Sequence, residues 1–174
     1  MENSRRLEYQ PVSAAALDEF HRLVADAHVR RYLMDGTEFP PEWTAARIAD
    51  SEALFRRRGV GLWLARERDG GQLVGFCGFL EVPALHPEPQ LVYALFEAFT
   101  GRGYATEMAD WAITTARSQP GFAEIVAGVD EVNAASVRVL EKLGFERTSN
   151  HPGAFGQAWM YRLRPDAPPA GSGS

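Results

Sequence analysis

Apolar residues change their spacing along the chain, and each change marks an element. Leu7 to Gln10 alternates as a short strand, whereas Val12–Leu33 carries Leu17, Phe20, Val24 and Ala27 at helical intervals. Pro40 and Pro41 interrupt that pattern. Glu42–Arg58 resumes it as an amphipathic helix, charged at its end and closed by Gly59. Two β-rich runs follow around Asp69, Gly70 and Gly71, the composition of a hairpin. Pro83, Pro87 and Pro89 mark a loop, and Gln90 to Phe96 is almost wholly apolar, as a buried central strand requires. From Ala105 to Ala116 the apolar positions again recur every three or four residues, giving a helix with one face on a sheet.

Glu124–Val129 reads as another buried strand. Asn133 to Leu143 reads as a helix, with Asn133 a suitable N-cap and Gly144 a left-handed terminator. Phe145–Ser149 and Ala158–Leu163 read as two closing strands. The order is strand, two helices, three strands, helix, strand, helix, two strands, which predicts a mixed α/β sheet with helices on its faces.

Composition narrows the function. The 174 residues are enough for one core, and 1–165 is expected to form a single domain. Asp166–Ser174 is Asp, Pro, Ala, Gly and Ser, too poor in apolar surface to order itself, and is expected to be a disordered tail. The formal charge of −5 argues against nucleic acid as a partner, because phosphate recognition wants a basic surface. Cys77 is the only cysteine, so neither an intrachain disulfide nor a cysteine-based metal cluster can form, and the expected location is the cytoplasm. No apolar run approaches the length that spans a bilayer, so no membrane partner is expected.

The stretch "FTGRGYATEM" concentrates the chemistry. Gly101 and Gly103 fall between a buried strand and a helix start, where backbone N–H groups lack partners and the helix dipole adds partial positive charge. Such a bend can cradle a phosphate, with Arg102 adding a charged contact. It can equally be a strand-to-helix connection made of flexible residues. The dinucleotide fingerprint fails, because Thr106 stands where its third small residue would be, and no Gly-Lys-Ser/Thr is present for a nucleotide-triphosphate loop.

"TGRGYATEM", followed about thirty residues later by "NAASVRVLEKLGFE", resembles the paired signature segments of the GNAT superfamily of acetyl-CoA-dependent N-acetyltransferases. "VRRYL" followed by a Pro-containing loop is similar to the branch that acetylates N-terminal amines of ribosomal proteins. The resemblance runs from about Leu7 to Leu163. It implies a mostly antiparallel central sheet of about six to seven strands with helices on both faces. Leu91–Phe96 would splay from Glu124–Val129 to admit the pantetheine arm of coenzyme A. The pyrophosphate would lie on the amides of Gly101, Arg102, Gly103, Tyr104, Ala105 and Thr106, and the thioester near Leu95 and Phe96, where a backbone N–H can polarise its carbonyl. Thr100 departs from the Gln or Arg usual at that position, which removes only a side-chain contact.

Asn133 and Ser136 carry two readings. They are an N-cap and a tolerable first-turn residue, or Ser136 is the hydroxyl that protonates the departing thiolate. The family's usual Tyr for that role falls at Leu140, so Ser136 or a water replaces it. The usual acidic residue opening the central strand falls at Gln90, and Glu88, two residues earlier, is the expected base if the strand extends that far. Glu81, His86 and His151 are alternatives. Tyr93 and the four tryptophans read as packing.

The expected reaction is direct attack of a neutral amine on bound acetyl-CoA, the amine being a protein N-terminus or a small molecule. The alternative is a catalytically weak acyl-CoA-binding regulatory or interaction domain. A homodimer through the last two strands is an option the sequence leaves open.

Overall fold

The computed structural model describes residues 3–122, 124–153 and 156–165. The expected tail lies outside the described residues. Seven strands form one sheet: β1 (Leu7–Pro11), β2 (Leu62–Glu67), β3 (Leu73–Leu80), β4 (Gln90–Leu95), β5 (Ile125–Asp130), β6 (Glu146–Gly153) and β7 (Gly156–Leu163). Their spatial order is β1-β2-β3-β4-β5-β7-β6. Every neighbouring pair is antiparallel except β4 and β5. The helices are α1 (Leu17–Ala25), α2 (Ala27–Leu33), α3 (Pro41–Arg58), α4 (Tyr104–Arg117) and α5 (Ala134–Lys142), with short 3-10 turns at Ala14–Ala16 and Glu97–Phe99.

Strand alternation divides the core. Leu62, Leu64, Phe76, Val92 and Ala94 pack against Phe20, Leu23, Val24 and Val29 of α1 and α2. Trp63, Ala65, Cys77, Leu91, Ile125, Ala127 and Val129 face Met108, Ala109, Ala112 and Leu140 of α4 and α5. Helices therefore cover both faces of the sheet, as read from the sequence. The cluster under α1 and α2 ends at β4, and beyond it β5, β7 and β6 form a ledge on that side whose Val126, Ala158 and Met160 are buried.

Two local readings change. Val12–Leu33 is two helices rather than one, because Asp26 takes an extended conformation (φ −60°, ψ 135°) and its carboxylate accepts from the amides of His28 and Val29. The apolar period survives the break because the break preserves the buried face. The closing strands are also longer than expected: β6 continues to Gly153 and β7 already begins at Gly156.

The N-terminal segment is stapled to α4. Glu107 accepts from Ser4 Oγ at 2.6 Å, from the Arg6 amide at 2.7 Å and from Arg6 Nε at 2.7 Å. Burial works against its charge, but the Ser4 and Arg6 bonds hold its carboxyl below the usual range. A depressed folded-state value means that this stabilisation is complete above the unfolded value of ~4.3 and fades as pH falls through the folded one. Glu107→Gln is expected to remove about 2 kcal/mol at pH 7 and progressively less below pH ~4. Urea melts at both pH values check this; an equal loss at each would remove the ionic account.

Candidate active site

Tight approach of β3 to β4 positions the site. Gly75 lies so close to the backbone of β4 that a Cβ there would collide with the Ala94 carbonyl and stand 2.7 Å from Leu95 Cα. On its other side β4 meets β5 at only one register pair, Gln90 with Val126. Beyond that pair the two strands diverge, and the gap widens toward their C-terminal ends, Leu95 and Asp130. Phe96 N–H is already used, donating to the Val74 carbonyl at 3.1 Å. Alternation of donors along a strand then turns the amides of Leu95 and Tyr93 toward the gap. Of the two residues expected at the thioester, only Leu95 has a free-facing amide. Phe96 is held by β3.

The glycine bend stands at the open end of that gap. Gly101 (φ 71°) and Gly103 (φ 79°) are both left-handed, a conformation glycine adopts without steric penalty. A Cβ at Gly101 would meet nothing within 4 Å, so the bend presents bare backbone to solvent. Gly103 caps α4 without any side-chain bond. The first intrahelical donor is Glu107 N–H, to Gly103 O, which leaves the amides of Tyr104, Ala105 and Thr106 ahead of it unused by the helix. Converging amides at a helix start bind anions.

The surroundings fix this backbone. The Arg6 guanidinium donates to the Arg102 carbonyl at 2.9 Å and lies 4.2 Å from the centroid of the Tyr104 ring, whose hydroxyl donates to Glu67. The Arg102 side chain lies over Phe99, 5.6 Å from the ring centroid. A polar hollow of about 510 Å³, lined by Arg5, Arg6 and Arg68 together with Glu8, Glu67 and Asp69, adjoins Tyr104 at the start of α4.

Across the gap, the N-terminus of α5 supplies the polar groups. Asn133 Oδ1 accepts from Ser136 N–H at 3.1 Å, as an N-cap should. The Ser136 hydroxyl lies 2.7 Å from the Tyr93 hydroxyl, which also donates to the Ser136 carbonyl at 3.3 Å. Tyr93 was read as packing and is instead a bridge from β4 to α5. Burial pushes its phenol up to about 12, so it remains a proton carrier at neutral pH. The signal was in the alternation, since Tyr93 shares the α4/α5 face with Leu91 and Leu95 while Val92 and Ala94 face the other way. Leu140, where the resemblance would put a Tyr, is 1% exposed and has no proton to give.

Glu88 does not join this group. The strand begins at Gln90, and Glu88 sits in the preceding bend, ion-paired with Arg58 at 2.9 Å while its amide donates to His86 Nδ1. Leu95 lies at the opposite end of β4, about 16 Å from Gln90 at ~3.3 Å a residue, and Glu88 stands before that strand begins. The prolines on either side bend the chain before it can extend the strand. Glu81 is likewise engaged, with Arg57 at 2.8 Å, and His86 lies at the same closed end. His151 lies elsewhere, on the ledge, in the rung formed by Asp130, Ala158 and His151. Cys77 is fully buried, and burial pushes its thiol up, which removes it as a nucleophile.

No helix among the described residues is long and apolar enough to cross a membrane, and among them no cluster of His, Cys, Asp and Glu could hold a metal ion.

Known acetyltransferases share this fold. YjdG of Bacillus subtilis, an uncharacterized N-acetyltransferase, is 28% identical over 134 residues, covering 72% of this chain and 79% of its own. An acetyltransferase from Agrobacterium tumefaciens superposes with a TM-score of 0.79 at 23% identity, over 94% of this chain and 93% of that one. RimL, a ribosomal L7/L12 α-N-protein acetyltransferase solved with coenzyme A, superposes with a TM-score of 0.77 at 20% identity, over 96% and 98%. The acetyltransferase (GNAT) domain family matches residues 6–146, most of the chain including the glycine bend and the start of α5. The chain belongs to the GNAT acetyltransferase family.

Proposed function

We propose that the protein transfers the acetyl group of acetyl-CoA to a primary amine by direct attack in a ternary complex. The observation that carries this reading is the divergence of β4 from β5 between two polar ends, the glycine bend and the Tyr93–Ser136 pair. The pyrophosphate takes the amides from Gly101 to Thr106, with the guanidinium of Arg102 beside it. The pantetheine arm lies in the gap along β4, and Leu95 N–H polarises the thioester carbonyl. RimL, which shares the fold and was solved with coenzyme A, supports a coenzyme A site in this chain.

An amine nitrogen attacks the carbonyl carbon, the C–S bond breaks, and the proton lost by nitrogen balances the one gained by sulfur. Ser136, held by Asn133 and Tyr93, hands its hydroxyl proton to the sulfur and is refilled through solvent. With Glu88 engaged at the closed end, no distant carboxylate is needed for an N-terminal amine. Its pKa of ~8 leaves a usable neutral fraction, and water accepts the remaining proton. Holding both reactants in one cleft supplies much of the rate.

Thiol release from acetyl-CoA in the presence of a panel of amines and peptides tests the reading. Turnover with at least one primary amine is expected. If coenzyme A raises the melting temperature and no acceptor yields thiol, the protein is an acyl-CoA-binding module instead, as the buried Leu140 would then explain.

A further inference from the structure

The glycine bend is held by a side chain from outside the segment that forms it. Arg6 precedes β1, 96 residues before Arg102, and its guanidinium works as a fork. Nη1 donates to the Arg102 carbonyl at 2.9 Å while Nε donates to Glu107 Oε2 at 2.7 Å. Nη2 stands 3.6 Å from where a Cβ of Gly103 would be, so the same group closes one flank of the bend. The arginine has little freedom of its own. Its amide donates to Glu107 Oε1 at 2.7 Å, its carbonyl accepts from Arg68 N–H at 2.9 Å, and its guanidinium lies 4.2 Å from the centroid of the Tyr104 ring.

This grip decides which way a peptide unit faces. The Arg102 carbonyl and the Gly103 N–H belong to one planar trans unit and point in opposite directions. A donor on the carbonyl therefore turns the Gly103 N–H away from Arg6, and that N–H makes no backbone hydrogen bond among the described residues. Gly101 and Gly103, at φ 71° and 79°, offer little steric resistance to rotation of the backbone between them. Rotated, the unit would present a carbonyl oxygen where an anion needs a donor.

Resting on the reading that the bend takes the diphosphate of coenzyme A, we propose that Arg6 is a positioning residue, which holds the Arg102–Gly103 peptide with its N–H toward the diphosphate. It acts on the bend and not on the thioester. Without it only a fraction of the chains has the bend ready, and the apparent affinity falls by that fraction.

Calorimetric titration of the full chain with coenzyme A, and with pantetheine, which has the arm but no diphosphate, tests this. Arg6→Lys keeps the positive charge and a partner for Glu107, but one ammonium does not reproduce the fork. It should melt close to the wild type and still bind coenzyme A about fivefold more weakly, and Arg6→Ala should lose about tenfold or more. Pantetheine affinity should be the same in all three proteins. With an acceptor amine present, the KM for acetyl-CoA should rise by the same factors while kcat changes little. Undiminished coenzyme A affinity in Arg6→Lys would reduce Arg6 to a charge and overturn the proposal. Equal losses for coenzyme A and pantetheine would make it a general support of the fold and overturn it too. A wild-type chain that binds no coenzyme A would sink the acetyl-transfer reading and this proposal together. The expected binding differences without thiol release from any amine would sink acetyl transfer alone.

Discussion

Replacing Gly103 with valine is expected to weaken coenzyme A binding by about 100-fold or more, because two or three charge-assisted amide bonds, each worth ~1.5–3 kcal/mol, would be displaced together. The position is left-handed at φ 79°, where a β-branched residue is strained. The added side chain would also come within 3.6 Å of the Arg6 guanidinium, which braces the loop through the Arg102 carbonyl. Strain alone would lower stability as well, so Gly101→Ala serves as the companion. Its Cβ meets nothing within 4 Å, and the cost there is confined to the φ of 71°, about 1 kcal/mol. Calorimetry on both variants, with thermal melts beside it, separates the effects. Coenzyme affinity that survives Gly103→Val would remove the amide cradle, and with it the reading of the whole cleft.

Ser136→Ala should lower kcat by about 100-fold while leaving the KM for acetyl-CoA nearly unchanged, the signature of a proton transfer that matters only in the transition state. Tyr93→Phe acts through Ser136 by freeing its hydroxyl to rotate, and a fall of about tenfold is expected. Because both residues serve one proton, the double variant should be little worse than Ser136→Ala alone. Burial pushes the Tyr93 phenol up to about 12, so it stays protonated through the assay range, and no loss of rate from its ionisation should appear between pH ~7 and ~10. An unchanged kcat in Ser136→Ala would leave water as the acid. Additive losses in the double variant would separate Tyr93 from Ser136.

Local chemistry explains which parts of this arrangement were readable. Gly59 and Gly144 end their helices in the left-handed conformation, and Gly70 and Gly71 turn the hairpin, because only neighbouring residues set those torsions. Asn133 caps α5 for the same reason. The Asp26 cap is equally local, but an apolar face that continues across the break hides it from any count of spacing.

The failures have a different cause. Glu88 lies two residues from Gln90 and would share its face in an extended strand, but Pro87 and Pro89 bend the chain and Arg58 captures the carboxylate. Tyr93 is apolar enough to pass for core, and its hydroxyl finds Ser136 only because β4 and α5 meet, 43 residues apart in the chain.

What the sequence determined by itself was the order of elements, their caps and turns, and a glycine bend able to present amides to a phosphate, all consequences of torsions and periodicities within a few residues. What only the tertiary structure decided was which strand edge stays unpaired and which hydroxyls meet across the gap. Those are contacts between distant segments, set by how β3 presses on β4 and where β5 parts from it, and no local spacing encodes them.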